Sequence, residues 1–236
     1  MSTKSLFSKK EKQEVLRITA TTKGLHVVGP ITYPSGNRGP FNVDNAKVVS
    51  DPKRLEAIGT ILARGVKKLP IEAVVAIPTL GLPLATTASR KAHIPLLWVR
   101  PQADPRTGEL LEGAWKKGMR VALIDDVIAA AGTKKRAIQH IGPRLRVTDI
   151  VCLWGIDEKY KPNFRPWAKK HKIRVHYLFD WTELEYYSRS LGALHADCAG
   201  IQLTFLRNPV AWGTKKHLET LQQFKRKYRL TKGESF

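Results

Sequence analysis

The chain has 236 residues, 42% of them apolar, and carries a formal net charge of +21. That apolar share excludes a disordered chain, and the length fits one α/β domain with an elaboration or two small domains. No apolar run approaches the ~20 residues that span a bilayer, and the charged opening, MSTKSLFSKKEKQE, lacks the apolar stretch of a secretory signal.

Residues 1–24 read as a polar, basic helix with Val15, Leu16 and Ile18 as its apolar contacts. HVVGPITYPSGNRGPFNVDNAKVV (26–49) alternates apolar runs with glycine and proline, which predicts short strands and a turn. DPKRLEAIGTILARGVKK (51–68) opens with Asp51 as N-cap and Pro52 in the first turn. Leu55, Ile58, Ile61 and Leu62 then recur at helical spacing. From there strands and helices alternate. AVVAIP (73–78), PLLWVR (95–100), RVALIDD (120–126), VTDIVCLWGI (147–156) and RVHYLFDW (174–181) read as strands. LPLATTASRKA (82–92) and GTKKRAIQHIG (132–142) read as helices, and 103–118 as a polar loop. Such alternation predicts βαβ units and a parallel sheet.

After Trp181 the pattern changes. TELEYYSRSL (182–191) predicts a helix capped by Thr182. LRNPVAW (206–212) reads as a turn anchored by Trp212. From Gly213 a basic helix follows, with Leu218, Leu221, Phe224 and Tyr228 on one face. Three regions result: 1–50, 51–191 and 192–236. Cys152 and Cys198 lie far apart and form neither a metal spacing nor a disulfide framework, which points to a reducing cytosol, and Cys152 reads as a core thiol. The positive excess favours polyanionic partners or substrates.

The chemistry concentrates in MRVALIDDVIAAAGTKK (119–135). A buried strand ends in two carboxylates, Asp125 and Asp126, at the edge where parallel sheets collect ligands. The small turn behind them, Ala129, Ala130, Ala131, Gly132 and Thr133, feeds a helix N-terminus. Backbone N–H groups there favour a phosphate, and small side chains let it approach. Acids beside a phosphate suit sugar hydroxyls, or Mg²⁺ held through its waters.

This stretch resembles the phosphoribosyl-diphosphate (PRPP) signature of type I phosphoribosyltransferases. AIPTLGLPLA (76–85) resembles that family's diphosphate loop. The order from LLWVR to GELLEGAWKKGMRVALIDD, the segment YPSGNRGPFNVDNAKVVSDPKRL (33–55) and HYLFDWTELEYY (176–187) are similar to the orotate branch. The resemblance covers about Val15 to Leu191 and leaves the basic tail outside. It implies a parallel sheet flanked by helices, with a small N-terminal hood and a C-terminal helical extension. It also implies a cytoplasmic homodimer that binds PRPP with Mg²⁺ and transfers phosphoribosyl to a nitrogenous base. In that scheme Asp125 and Asp126 hold the ribose hydroxyls and, through water, the magnesium. Residues 129–133 hold the 5′-phosphate, and Thr79, Leu80 and Gly81 line the diphosphate. Arg100 and Arg106 neutralise it, and Ser35, Gly36 and Phe41 form the substrate hood.

The sequence departs from the orotate pattern at named places. Pro101 follows Arg100 where a lysine is usual, and Asp104 and Arg106 stand where the mobile loop brings lysine and histidine. Pro34 replaces a lysine before Ser35 and Gly36, and Gly155 and Ile156 replace an Asp-Arg pair. Residues 129–133 read Ala-Ala-Ala-Gly-Thr in place of Thr-Thr-Gly-Gly-Ser. Lys116 and Lys117 keep the loop's far end basic. Two readings follow: a phosphoribosyltransferase, or a protein on the same fold that senses PRPP or a nucleotide, or binds nucleic acid through its basic faces. Salt-dependent nucleic-acid binding that survives loss of Asp125 and Asp126 would separate them.

Overall fold

The computed structural model describes residues 5–33, 36, 38–129, 132–156, 164–194, 196–208 and 212–230. In chain order its elements are α1 (Lys9–Ala20), β1 (His26–Thr32), β2 (Arg38–Val43), α2 (Ala46–Val49), α3 (Pro52–Val66), β3 (Ala73–Ala76), α4 (Gly81–Ala92), β4 (Leu96–Val99) and β5 (Leu111–Glu112). They continue with β6 (Arg120–Ile128), α5 (Gly132–Ile141), β7 (Arg146–Gly155), α6 (Phe164–Lys170), β8 (Arg174–Asp180), α7 (Trp181–Ser190), α8 (Ala196–Arg207) and α9 (Lys215–Lys227). The chain divides into two units, one of residues 1–15 and 49–181, the other of 16–48 and 182–236.

The first unit is built on a six-stranded sheet in the order β5-β4-β3-β6-β7-β8, parallel except for β5. Its central strands are apolar almost without break, because both sheet faces are covered. All four residues of β3 are fully buried. One face packs Val75, Leu97, Leu123, Ile150 and Cys152 with Ala137 and Ile141 of α5 and Phe164 and Ala168 of α6. Cys152 is the core thiol its sequence context predicts, and burial pushes its pKa up. α3 begins as expected: the Asp51 side chain accepts from the Arg54 N–H at 3.0 Å, and Pro52 is the first helical residue. The loop after β4 is not wholly irregular. It folds back as β5, with Trp98 opposite Glu112 and Val99 opposite Leu111.

The second unit holds the β1–β2 hairpin and the C-terminal helices. The two strands are antiparallel, with His26 opposite Val43. Phe205 of α8 packs edge-on to Phe41 at 5.8 Å and tilted to Tyr33 at 5.6 Å. Trp212 is buried and edge-on to Phe205 at 6.1 Å, the apolar anchor its sequence context suggests. In α9, Leu221 and Phe224 are buried and Leu218 and Tyr228 half-buried, so the stripe packs and the basic residues face out. Lys227 and Tyr228 both bond Asp197 of α8, at 2.6 and 3.0 Å. Thr182 does not cap α7. The helix starts at Trp181, and the Thr182 hydroxyl is buried with no hydrogen-bond partner among the described residues. Among the described residues no helix is long and apolar enough to cross a membrane.

Candidate active site

Leaving β5 aside, the parallel strands run in space as second, first, third, fourth, fifth. The chain leaves β3 for β4 on one side and returns to β6 on the other. Such a switch point opens a crevice beyond the carboxyl ends of β3 and β6, where open α/β sheets bind ligands. Three sequence features meet at that edge: the turn 77–81, the acid pair, and the start of α5.

The turn lies close against the acid pair. Ile77 N–H donates to the Ile124 carbonyl at 3.0 Å, and the Pro78–Thr79 peptide is cis. A Cβ on Gly81 would stand 2.5 Å from the Ile124 carbonyl oxygen and 3.3 Å from the Asp125 Cα. Only glycine lets α4 begin this close to β6. Leu80, at the head of α4, makes no side-chain cap, so the first N–H groups of the helix have no side-chain acceptor there.

The acids divide. Asp125 is 5% exposed, whereas Asp126 is half-buried. Asp125 Oδ1 accepts the Asp126 N–H at 2.9 Å, and Oδ2 contacts Lys134 Nζ. Lys134, also buried, donates to the Val127 carbonyl as well. Burial pushes the Asp125 carboxyl up to about 7 against the pull of Lys134, and the Asp126 charge adds to the rise. Burial alone would push the Lys134 ammonium down, but Asp125 and its neighbours outweigh that and raise it. Lys134 is the residue that sequence reasoning passed over. Its signal was a lysine in the first turn of a helix, where the dipole disfavours cations.

Of the small turn, Ala129 is half-buried, and Gly132 and Thr133 open α5. Ala130 and Ala131 lie outside the described residues, as does Ser35. The first turn of α5 carries no acid and holds Lys134, with Lys135 following. That favours an anion beyond it.

Arg100 and Arg106 converge on Asp104. Arg106 grips it through Nε at 3.1 Å and Nη2 at 2.8 Å, and Arg100 Nη1 lies 3.1 Å away. Arg100 also bonds Glu112 at 2.8 Å. The Arg106 side chain and N–H, with Arg100, hold the Asp104 carboxyl down at about 2. Both cations are thus engaged within their own hairpin loop. Gly155 has a steric reason for its place: a Cβ there would meet the Tyr177 ring at 2.8 Å, and the Tyr177 hydroxyl accepts from Arg165 at 3.0 Å. Gly36 and Phe41 belong to the other unit; Gly36 has φ +81° and Phe41 is buried.

No family model matches the chain. Curated relatives do. An orotate phosphoribosyltransferase of Methanosarcina mazei is 31% identical over 134 residues, covering 56% of this chain and 70% of that protein. One of Lactobacillus johnsonii is 26% identical over 189 residues, covering 79% and 88%. Among solved structures, UMP synthase of Leishmania donovani superposes with a TM-score of 0.72 at 23% identity, covering 84% of this chain and 42% of that one, so the chain spans less than half of that protein. Orotate phosphoribosyltransferase of Aeropyrum pernix superposes with a TM-score of 0.59 at 20% identity, covering 75% and 99%. The sheet, its switch point and these superpositions define the type I phosphoribosyltransferase fold. Within it, the chain belongs to the orotate phosphoribosyltransferase family.

Proposed function

We propose that the protein binds PRPP and transfers its phosphoribosyl group to an orotate-type base, a step of pyrimidine nucleotide synthesis. The observation that carries this is the meeting, at one switch point, of an acid pair with the start of an acid-free helix. The names of the curated relatives support it, and one solved relative, from Mycobacterium tuberculosis, is described as a complex with PRPP.

In this reading the turn 129–133 and the α5 N-terminus take the 5′-phosphate, and the acid pair faces the ribose side. The turn 79–81 lines the diphosphate through its N–H groups. The ribose C1–O bond to diphosphate breaks, and a base nitrogen forms the new bond to C1. The protein supplies position and charge rather than a covalent intermediate. Arg100 and Arg106 neutralise the diphosphate, which must compete with Asp104 for them.

Magnesium is part of the same reading. Both Asp125 oxygens are already engaged, and the described residues hold no group of three His, Cys, Asp or Glu suited to a metal. The donor set fits an ion that PRPP carries on its own oxygens and that Asp126 holds through water. Such an ion would supply positive charge to the departing diphosphate. A cytoplasmic homodimer belongs to the proposal too, and sedimentation tests the dimer.

Calorimetry with PRPP and Mg²⁺ tests the reading, followed by orotate added to the saturated protein. Binding that Asp126→Asn weakens at least about tenfold, then orotate consumption, is the expected result. Wild-type protein that ignores PRPP overturns it, and leaves salt-dependent nucleic-acid binding through the basic faces as the reading to test.

A further inference from the structure

Lys134 is placed against both rules for a lysine. It stands in the first turn of α5, where the helix dipole repels cations. It is 6% exposed, where an unpaired ammonium is costly. A cation stays there only if something fixed compensates it. The compensation is Asp125, which Lys134 Nζ contacts at Oδ2, and the Val127 carbonyl, to which it donates. The remaining oxygen of Asp125 is taken by the Asp126 N–H at 2.9 Å. Asp125 therefore offers a ligand little: it is 5% exposed with both oxygens engaged, while Asp126 keeps an exposed side.

We propose that Lys134 is a positioning residue of this site. By holding Asp125 and the Val127 carbonyl it pins the start of α5, with Gly132 and Thr133, to the end of β6. It also withdraws Asp125 from the ligand, so that Asp126 is the acid that meets the sugar hydroxyls. The pinning concerns the fold alone; the division between the acids rests on the PRPP reading above. The arrangement has an electrostatic use. Two adjacent carboxylates would repel a sugar phosphate arriving beside them, and an internal cation cancels one of them. The ligand class it suits is a dianionic phosphate on a sugar with free hydroxyls.

Two readouts test this: amide hydrogen exchange over 126–136 in the ligand-free protein, and the calorimetric Kd for PRPP with and without Mg²⁺. The variants are Lys134→Met, Asp125→Asn, the two combined, and Asp126→Asn. The expected result is that Lys134→Met and Asp125→Asn each speed exchange and weaken PRPP about tenfold, while the double variant is no worse than either. Asp126→Asn weakens PRPP by about 10- to 100-fold and multiplies with Lys134→Met. Losses from Asp125→Asn and Lys134→Met that multiply would show Asp125 acting on the ligand independently, and overturn the proposal. If Lys134→Met alone does not fold, the neutral pair is compared with Asp125→Asn: equal affinity supports the proposal, and a further tenfold loss overturns it. If wild type ignores PRPP, the transferase reading fails by itself. Exchange then decides the pinning, faster in the double variant than in wild type if it holds and unchanged if it does not.

Discussion

Gly81→Ala puts a methyl group where the end of β6 already stands. The new Cβ would lie 2.5 Å from the Ile124 carbonyl oxygen, a backbone atom that cannot swing aside, and 3.3 Å from the Asp125 Cα. Real Cβ contacts essentially never fall below 3.0 Å, so the start of α4 must retreat by at least about half an ångström. Overpacking of this kind costs about 1–3 kcal/mol. In a chain of this size each kcal/mol lowers Tm by about 2–4 °C, which gives a drop of about 2–12 °C. The functional loss should be larger than the stability loss, because the displaced segment is the turn proposed to line the diphosphate. A misplacement of about 1 Å can cost on the order of 100-fold in rate. The assay is thermal melting together with calorimetry of PRPP binding. A variant that melts and binds like wild type would refute the argument that glycine is required here for close approach.

Gly200→Ala is the opposite case. It lies within α8 with no atom within 4 Å of the added Cβ, and should stabilise by about 0.4–1 kcal/mol, read as a higher denaturant midpoint. Asp149 is fully buried and accepts from Thr148 at 2.8 Å, Arg174 at 2.9 Å and His176 at 2.8 Å. Burial alone would raise its pKa, but these partners outweigh it and lower it. Asp149→Ala should cost about 1–3 kcal/mol, since Thr148, His176 and the half-exposed Arg174 lose their common acceptor; an unchanged Tm would refute that. His26 is buried beside Ser188, and burial pushes its imidazole down to about 4. The unfolded chain takes up a proton at about pH 6.5 that the native chain refuses. Its contribution is therefore full above pH 6.5 and is lost as pH falls toward 4, by about 3 kcal/mol. Urea midpoints across that range should fall less steeply for His26→Asn than for wild type.

The parallel sheet was legible because its strands are buried on both faces and therefore read as unbroken apolar runs, such as AVVA in β3 and VALI in β6. α3 was legible to its first residue because Asp51 and Pro52 are local signals. α6 and α8 were not. α6 is seven residues long with a proline inside, and α8 has apolar residues around much of its circumference, so neither shows a clear stripe. The start of α7 slipped by one residue because Thr182 has the side chain of a cap, whereas Trp181 is held by packing against Trp154 at 5.6 Å, which no local rule contains.

The site shows the same division between local and long-range information. Strand, acid pair, small turn and helix follow one another between Arg120 and Ile141, and the sequence presents them in order. What each carboxylate does is another matter, because it depends on neighbours. Asp125 and Asp126 are adjacent in the chain, yet Asp125 is buried and Asp126 half-buried, and the Asp126 charge acts on the Asp125 carboxyl. The buried acid needed a cation, and the first turn of the next helix supplies it in Lys134. Likewise Asp104 stands where the orotate pattern brings a lysine or histidine, and reverses the local charge: it gathers Arg100 and Arg106 into the hairpin loop. A polyanionic ligand must draw them from that carboxylate. If it does, diphosphate affinity should rise in Asp104→Asn, which frees Arg106 and leaves Arg100 bonded to Glu112 alone, and the hairpin loop should exchange its amides faster in the ligand-free variant. Unchanged affinity would place Arg106 outside the site.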